Sequence, residues 1–130
     1  MIVADTHAWL WWISGDAALS PAAKEVLAGA LDDGRLGVSA ISVWEAAMLA
    51  KKGRLELALE IPELVRHCET LPGFRFLAVT PHIAMASVAI EPFHADPADR
   101  LIAATAFAHR AALVTKDTRL RALDGLVSLW

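Results

Sequence analysis

Four carboxylates stand where short apolar runs give out. Asp5 follows residues 1–4, Asp117 follows residues 113–115, Glu45 is expected on the first turn of the helix after residues 36–39, and Asp99 is expected on the first turn of a helix opened by Asp96-Pro97. Open α/β sheets bind ligands beyond the carboxyl ends of their strands, so acids at these points converge on one crevice. Like charges crowded at that range either take up protons or bind cations. An all-oxygen site suits Mg²⁺ or Mn²⁺, and Mg²⁺ takes one or two carboxylates together with waters and substrate phosphates. The chemistry that follows is phosphodiester hydrolysis. Each acid also has a structural use on its own: Glu45 as capping-box partner of Ser42, Asp96 as a helix N-cap, Asp99 as a complement to the helix dipole. Four of them at equivalent strand ends favour the joint, chemical reading.

Other chemistries lack their residues. His7 and His94 adjoin proposed ligands, yet no histidine pair has zinc-site spacing, and a structural or substrate-contacting role fits them better. The chain has no nucleophile elbow, phosphate-binding glycine loop or dinucleotide fingerprint.

Positioning these acids requires strands that alternate with helices. Residues 1–4 read as a strand and residues 9–13 as a short helix stopped by Ser14-Gly15-Asp16. Ser20-Pro21 is an N-cap with proline at the first helical position, and the helix it opens closes at Asp32-Asp33-Gly34. Residues 36–39 form the second strand, and Ser42-Val43-Trp44-Glu45 has capping-box spacing for a helix running to Lys52 and stopped by Gly53. A helix over 62–71 and a strand over 74–79 follow. Thr80-Pro81 repeats the cap-plus-proline signal for a helix ending before Pro92. The helix after Asp96-Pro97 is nearly all apolar over 101–108, so most of its faces should be buried. A strand over 113–115, a short helix over 118–123 and a last strand over 126–130 complete an α/β fold on a mainly parallel sheet of about five strands flanked by helices.

Composition bounds the remaining classes. A chain of 130 residues sets a prior of one domain, and its 56% hydrophobic and 21% charged residues make it more apolar than the usual soluble protein, which excludes disorder and leaves surplus apolar surface for a partner. No apolar run approaches the roughly 18 residues of a membrane-spanning helix. The first basic residue is Lys24 and the single cysteine is Cys68, so the reading expects no secretory signal and a reducing cytoplasm. A net charge of −3 shows no general attraction to nucleic acid, so any such role must be local.

The motifs themselves resemble the PIN-domain ribonucleases and, within them, the VapC toxins of bacterial toxin–antitoxin pairs. Asp5-Thr6-His7 is similar to the family's opening strand and acid. Ser39-Ala40-Ile41-Ser42-Val43-Trp44-Glu45 is similar to its second acidic motif. His94-Ala95-Asp96-Pro97-Ala98-Asp99-Arg100-Leu101-Ile102-Ala103 resembles the segment in which an acid precedes a Leu-Ile-Ala helix, and Val114-Thr115-Lys116-Asp117 the last motif. The likeness covers nearly the whole chain, so residues 1–130 are expected to form one PIN-like domain.

That resemblance implies Asp5, Glu45, Asp99 and Asp117 as catalytic metal ligands for Mg²⁺ or Mn²⁺, with Asp96 a helper. Family members often carry Asn at the last position, which lets Asp117 act through water. Thr6 and Thr115 are implied as hydroxyls backing the carboxylates, with turn capping as their plainer use. The implied reaction is metal-assisted hydrolysis of RNA, its backbone held by Lys116 and Arg100 first, then Arg119 and Arg121. Lys51, Lys52 and Arg54 are further candidates, although basic residues at a helix end also simply complement its dipole.

Trp9, Trp11, Trp12 and Trp44 are candidate antitoxin contacts. Three tryptophans within four positions cannot share one helix face, so at least two of the group should pack in the core and at least one should meet a partner. Family resemblance also implies a homodimer. Two alternatives from other classes remain at this point: a phosphoacceptor receiver domain, which shares length, α/β alternation and clustered acids, and a non-catalytic PIN-like RNA-binding scaffold.

Overall fold

Local signals place most helix starts. The structure, a computed structural model, describes residues 1–91 and 96–130; the expected stop at Pro92 and the reading of His94 lie outside the described residues. Its elements are β1 (Ile2–Ala4), α1 (Thr6–Ser14), α2 (Pro21–Asp32), β2 (Leu36–Ser39), α3 (Ala40–Lys51), α4 (Ile61–Glu69), β3 (Phe74–Leu77), α5 (Pro81–Ala89), α6 (Pro97–Ala108), β4 (Ala112–Val114), α7 (Thr118–Arg121) and β5 (Ser128–Leu129). Ser20, Thr80 and Asp96 cap α2, α5 and α6, their side chains accepting backbone N–H groups of the first turn with proline at the start of each helix. Gly15, at φ 70°, ends α1 in the left-handed conformation that only glycine adopts freely.

One helix start differs from expectation. Ser39, not Ser42, caps α3 by accepting the Ile41 N–H at 3.2 Å. Ser42 lies inside the helix, where its buried Oγ accepts the Thr6 hydroxyl at 2.9 Å. Both serines carry capping chemistry, and the contact to Thr6, 36 positions away, decides between them. Glu45 therefore stands beyond the first turn and is not a capping-box partner.

The five strands are all parallel, in the order β3-β2-β1-β4-β5. A receiver domain has the order 2-1-3-4-5, so this topology removes that alternative. Connections from β1 proceed through β2 to β3 on one side, whereas β4 and β5 lie on the other, which makes the β1/β4 boundary the switch point. Ala4 is in register with Val38 and with Val114. One residue further, Asp5, Ser39 and Thr115 therefore stand level along the carboxyl edge of the sheet.

Strand alternation splits the core in two. Ala4, Val38, Phe74 and Val114 join Trp9, Leu27, Leu64 and the free thiol of Cys68 in one cluster. Val3, Leu77 and Leu113 join Ile102, Ala106 and Leu120 in the other. Helices thus cover both faces, as a parallel sheet requires. The apolar run of α6 is buried from Ile102 through Ala106, as its composition requires. Among the described residues no helix is long and apolar enough to cross a membrane.

Candidate functional site

Asp5 anchors the carboxyl edge at the switch point. It is 7% exposed, and it caps α1 through Oδ1, which accepts the Ala8 N–H at 2.8 Å. Its Oδ2 accepts the hydroxyl of Thr115 across the β1/β4 boundary, and Thr115 Oγ1 in turn accepts the Asp117 N–H at 3.1 Å. Burial pushes the Asp5 carboxyl above its ordinary range, while Thr115, the Ala8 N–H and His7 oppose that shift. Thr115 thus holds the carboxylate directly. Thr6 bonds Ser42 and joins α1 to α3 beneath the site.

A cleft of about 420 Å³ opens here, lined by Asp5, Thr6, His7, Trp11, Glu45, Asp96, Asp99, Lys116, Asp117 and Arg119. All five acids expected at the site therefore share one cavity. Asp96 and Asp117 are also N-caps: Asp96 Oδ1 accepts the Ala98 and Asp99 N–H groups, and Asp117 Oδ1 those of Arg119 and Leu120. With Asp5, they aim the positive N-terminal ends of α1, α6 and α7 at the cleft, a partial compensation for the crowded negative charge. That multiple capping role was not legible in the sequence for Asp5 and Asp117, although both directly precede short helices. Asp99 shows the effect of that crowding. Its carboxyl is pushed up to about 7, first by burial and then by Asp96, Asp117, Glu45 and Asp5.

Hard oxygen donors under mutual repulsion fit a hard divalent cation. As they stand, no group of three or more such side chains converges tightly enough to enclose an ion directly, among the described residues. Asp5 is engaged by Ala8 and Thr115, and Asp96 and Asp117 by their helices. This spacing fits Mg²⁺, which keeps several waters and takes only one or two carboxylates.

The basic and aromatic candidates separate. Lys116 and Arg119 line the cleft. Arg100 does not: its Nη1 donates to the carbonyls of Ser87 at 3.0 Å and Ile90 at 3.1 Å, satisfying the C-terminal end of α5. Arg121 is exposed outside the lining, and Lys51, Lys52 and Arg54 sit exposed around the end of α3. Trp9 is fully buried, so its expected contact with a partner is corrected to a core role, forced by the face of α1 it occupies. Trp12 is half-buried against the same core, and Trp44 is 54% exposed on α3. Trp11 alone of the four reaches the cleft.

A parallel 3-2-1-4-5 sheet carrying an acidic cleft at its switch point defines a class of α/β domain. The PIN domain family model matches residues 2–126, and the chain is 39% identical over 125 residues to Ribonuclease VapC22 of Mycobacterium tuberculosis, covering 92% of this chain and 89% of that protein. The chain belongs to the PIN-domain family, among the VapC proteins. A toxin–antitoxin complex from Klebsiella pneumoniae contains a chain of similar structure, with TM-score 0.66, 25% identity, and 98% and 96% of the two chains covered. FitAcB from Neisseria gonorrhoeae gives TM-score 0.64 at 26% identity, covering 100% of this chain and 97% of its own.

Proposed function

We propose that this chain is a VapC-type toxin of the cytoplasm, a Mg²⁺-dependent endoribonuclease that a cognate antitoxin holds inactive. The observation that carries the reading is the single cleft in which Asp5, Glu45, Asp99, Asp117 and Asp96 meet Lys116 and Arg119. VapC22 is named a ribonuclease and the Klebsiella structure a toxin–antitoxin complex, which supports both halves of the proposal.

Asp5 and Asp99 would hold the ion, with Glu45 and Asp117 acting through water and Asp96 assisting; Mn²⁺ would substitute. When bound, the ion supplies Lewis acidity for the phosphoryl group and charge stabilisation for the leaving oxygen. The protein's part is positioning. Thr115 and the Ala8 N–H fix the Asp5 carboxylate, and Lys116 and Arg119 draw backbone phosphates towards the acids, whose charge would otherwise repel RNA. Burial and the neighbouring acids push the Asp99 carboxyl up to about 7, so near neutral pH it would hold a cation in competition with a proton. Outside the cleft, Trp44 offers the antitoxin an aromatic anchor, and the exposed Met85 and Val88 on α5 offer a second copy an apolar face for a homodimer.

The test is cleavage of single-stranded RNA by the purified chain across a Mg²⁺ titration. Activity is expected to vanish in EDTA and to fall at least 100-fold in Asp99→Asn, on the order of 3 kcal/mol in the barrier. Asp96→Asn should keep measurable activity, since Asn caps a helix about as well as Asp. Full cleavage in excess EDTA would overturn metal dependence, and an inactive Asp96→Asn beside an active Asp99→Asn would move the ligand to the other carboxylate. Antitoxin control predicts growth arrest on expression, relieved by one small co-purifying protein.

A further inference from the structure

We propose that Trp11 is a stacking platform for an RNA base next to the scissile phosphate, an inference that rests on the ribonuclease reading. Trp11 lies on the face of α1 that carries His7 one turn earlier, and both line the cleft with the acids. The indole is half-buried and braced: its ring centroid is 5.6 Å from that of His7 and 5.9 Å from that of Trp130, which meets it edge-on. Trp9, two positions away, is fully buried, and Trp11 packs against the same cluster from its edge, which holds the indole in place. A rigid, pre-oriented aromatic plane at the rim of a phosphate-chemistry cleft is the feature by which proteins grip single-stranded nucleic acid.

Lys116 accounts for what covers that plane without RNA. Its Nζ sits over the Trp11 ring, 5.9 Å from the centroid, and Lys116 lines the cleft with Arg119. A backbone phosphate entering the cleft attracts the ammonium away from the indole. The exchange is favourable, because a cation over an exposed ring is worth only about 2- to 5-fold in affinity, whereas a base stacked on an aromatic side chain is worth about 5- to 150-fold. One lysine movement therefore seats the phosphate and uncovers the surface for the neighbouring base. Stacking tolerates any base, so Trp11 contributes grip and register along the strand rather than a sequence code.

The experiment uses a 12-nucleotide single-stranded RNA carrying one mapped cut site, and copies in which a single nucleotide lacks its base. With the wild-type protein, one abasic position within two nucleotides of the cut is expected to raise KM roughly 5- to 150-fold with little change in kcat. In Trp11→Leu the intact RNA should already show that raised KM, and the same abasic position should cost less than about 2-fold more; Trp11→Phe should restore most of the difference. A purely structural tryptophan would leave the abasic penalty unchanged in Trp11→Leu, and that result overturns the proposal. Should Trp11→Leu not fold, the Trp11 indole N–H resonance of the inactive Asp99→Asn protein must shift with intact RNA and stay in place with the abasic copy; no shift with either overturns it equally. RNA that binds with this abasic signature in Kd but is never cut would sink the nuclease reading alone, cleavage without the signature would sink this inference alone, and absence of RNA binding would sink both.

Discussion

Asp99 carries the electrostatic tension of the cleft, and it turns that tension into a pH-dependent stability. Burial and the neighbouring acids push its carboxyl up to about 7 in the folded protein from an ordinary 3.8, so between these values the folded state holds a proton that the unfolded chain has released. More protons on the folded side mean that stability falls as pH rises through this window and levels off above it. In EDTA, Asp99→Asn is therefore expected to melt above wild type at pH 8, with the gap closing as pH falls towards 4; melts at pH 4, 6 and 8 read it directly. A wild type that melts higher than the variant at pH 8 would show that the carboxylate is compensated without a cation. Competition with the same proton should make the Mg²⁺ requirement for cleavage rise as pH falls below about 7. The acids were legible in the sequence because each follows a strand end or a helix start closely along the chain, a local relation. Arg100 and Trp9 were not, since their partners, the carbonyls of α5 and the inner face of the sheet, depend on packing between distant segments.

At the scale of elements, cap-plus-proline signals were readable because the cap, the proline and the satisfied N–H groups all lie within four residues. Strand ends were less so. The strand expected over 74–79 ends at Leu77, and the one expected over 126–130 shrinks to Ser128–Leu129, because ladder length is set by the neighbour available and not by the apolar run. The entry to β3 shows how tightly neighbouring elements constrain a single position. Gly73 has φ +88°, its carbonyl accepts the Leu36 N–H at 3.1 Å, and a Cβ there would meet the Leu31 carbonyl oxygen at 2.1 Å. Gly73→Ala must therefore strain its backbone and push the end of α2 from the entry to β3. The expected loss is about 2–6 kcal/mol, the sum of an unfavourable φ and an overpacked contact, measured by urea unfolding. Gly29→Ala is the control, since a Cβ at Gly29 meets nothing within 4 Å and the helix gains propensity. Equal stabilities for the two variants would mean that the α2–β3 approach relaxes freely.

The molecule as a whole carries a net charge of −3, yet the proposed substrate is a polyanion. Long-range attraction cannot bring the two together, so binding must depend on local cations, and among the described residues the cleft presents two, Lys116 and Arg119. Arg100, which the sequence placed with them, is engaged with the end of α5, and Arg121 lies outside the lining. For a single strand the logarithm of the binding constant falls with the logarithm of salt at about 0.7 per phosphate neutralised. Two cations therefore predict a slope of roughly −1.4, far shallower than that of a protein with a basic face. The measurement is RNA affinity of the Asp99→Asn protein from 50 to 300 mM KCl at one low Mg²⁺ concentration. Lys116→Gln should bring the slope to roughly −0.7, with Lys51→Gln leaving it unchanged. A wild-type slope steeper than about −4 would require at least five or six phosphate contacts, more than one cleft supplies, and would place part of the RNA site on a surface completed by a second copy of the chain.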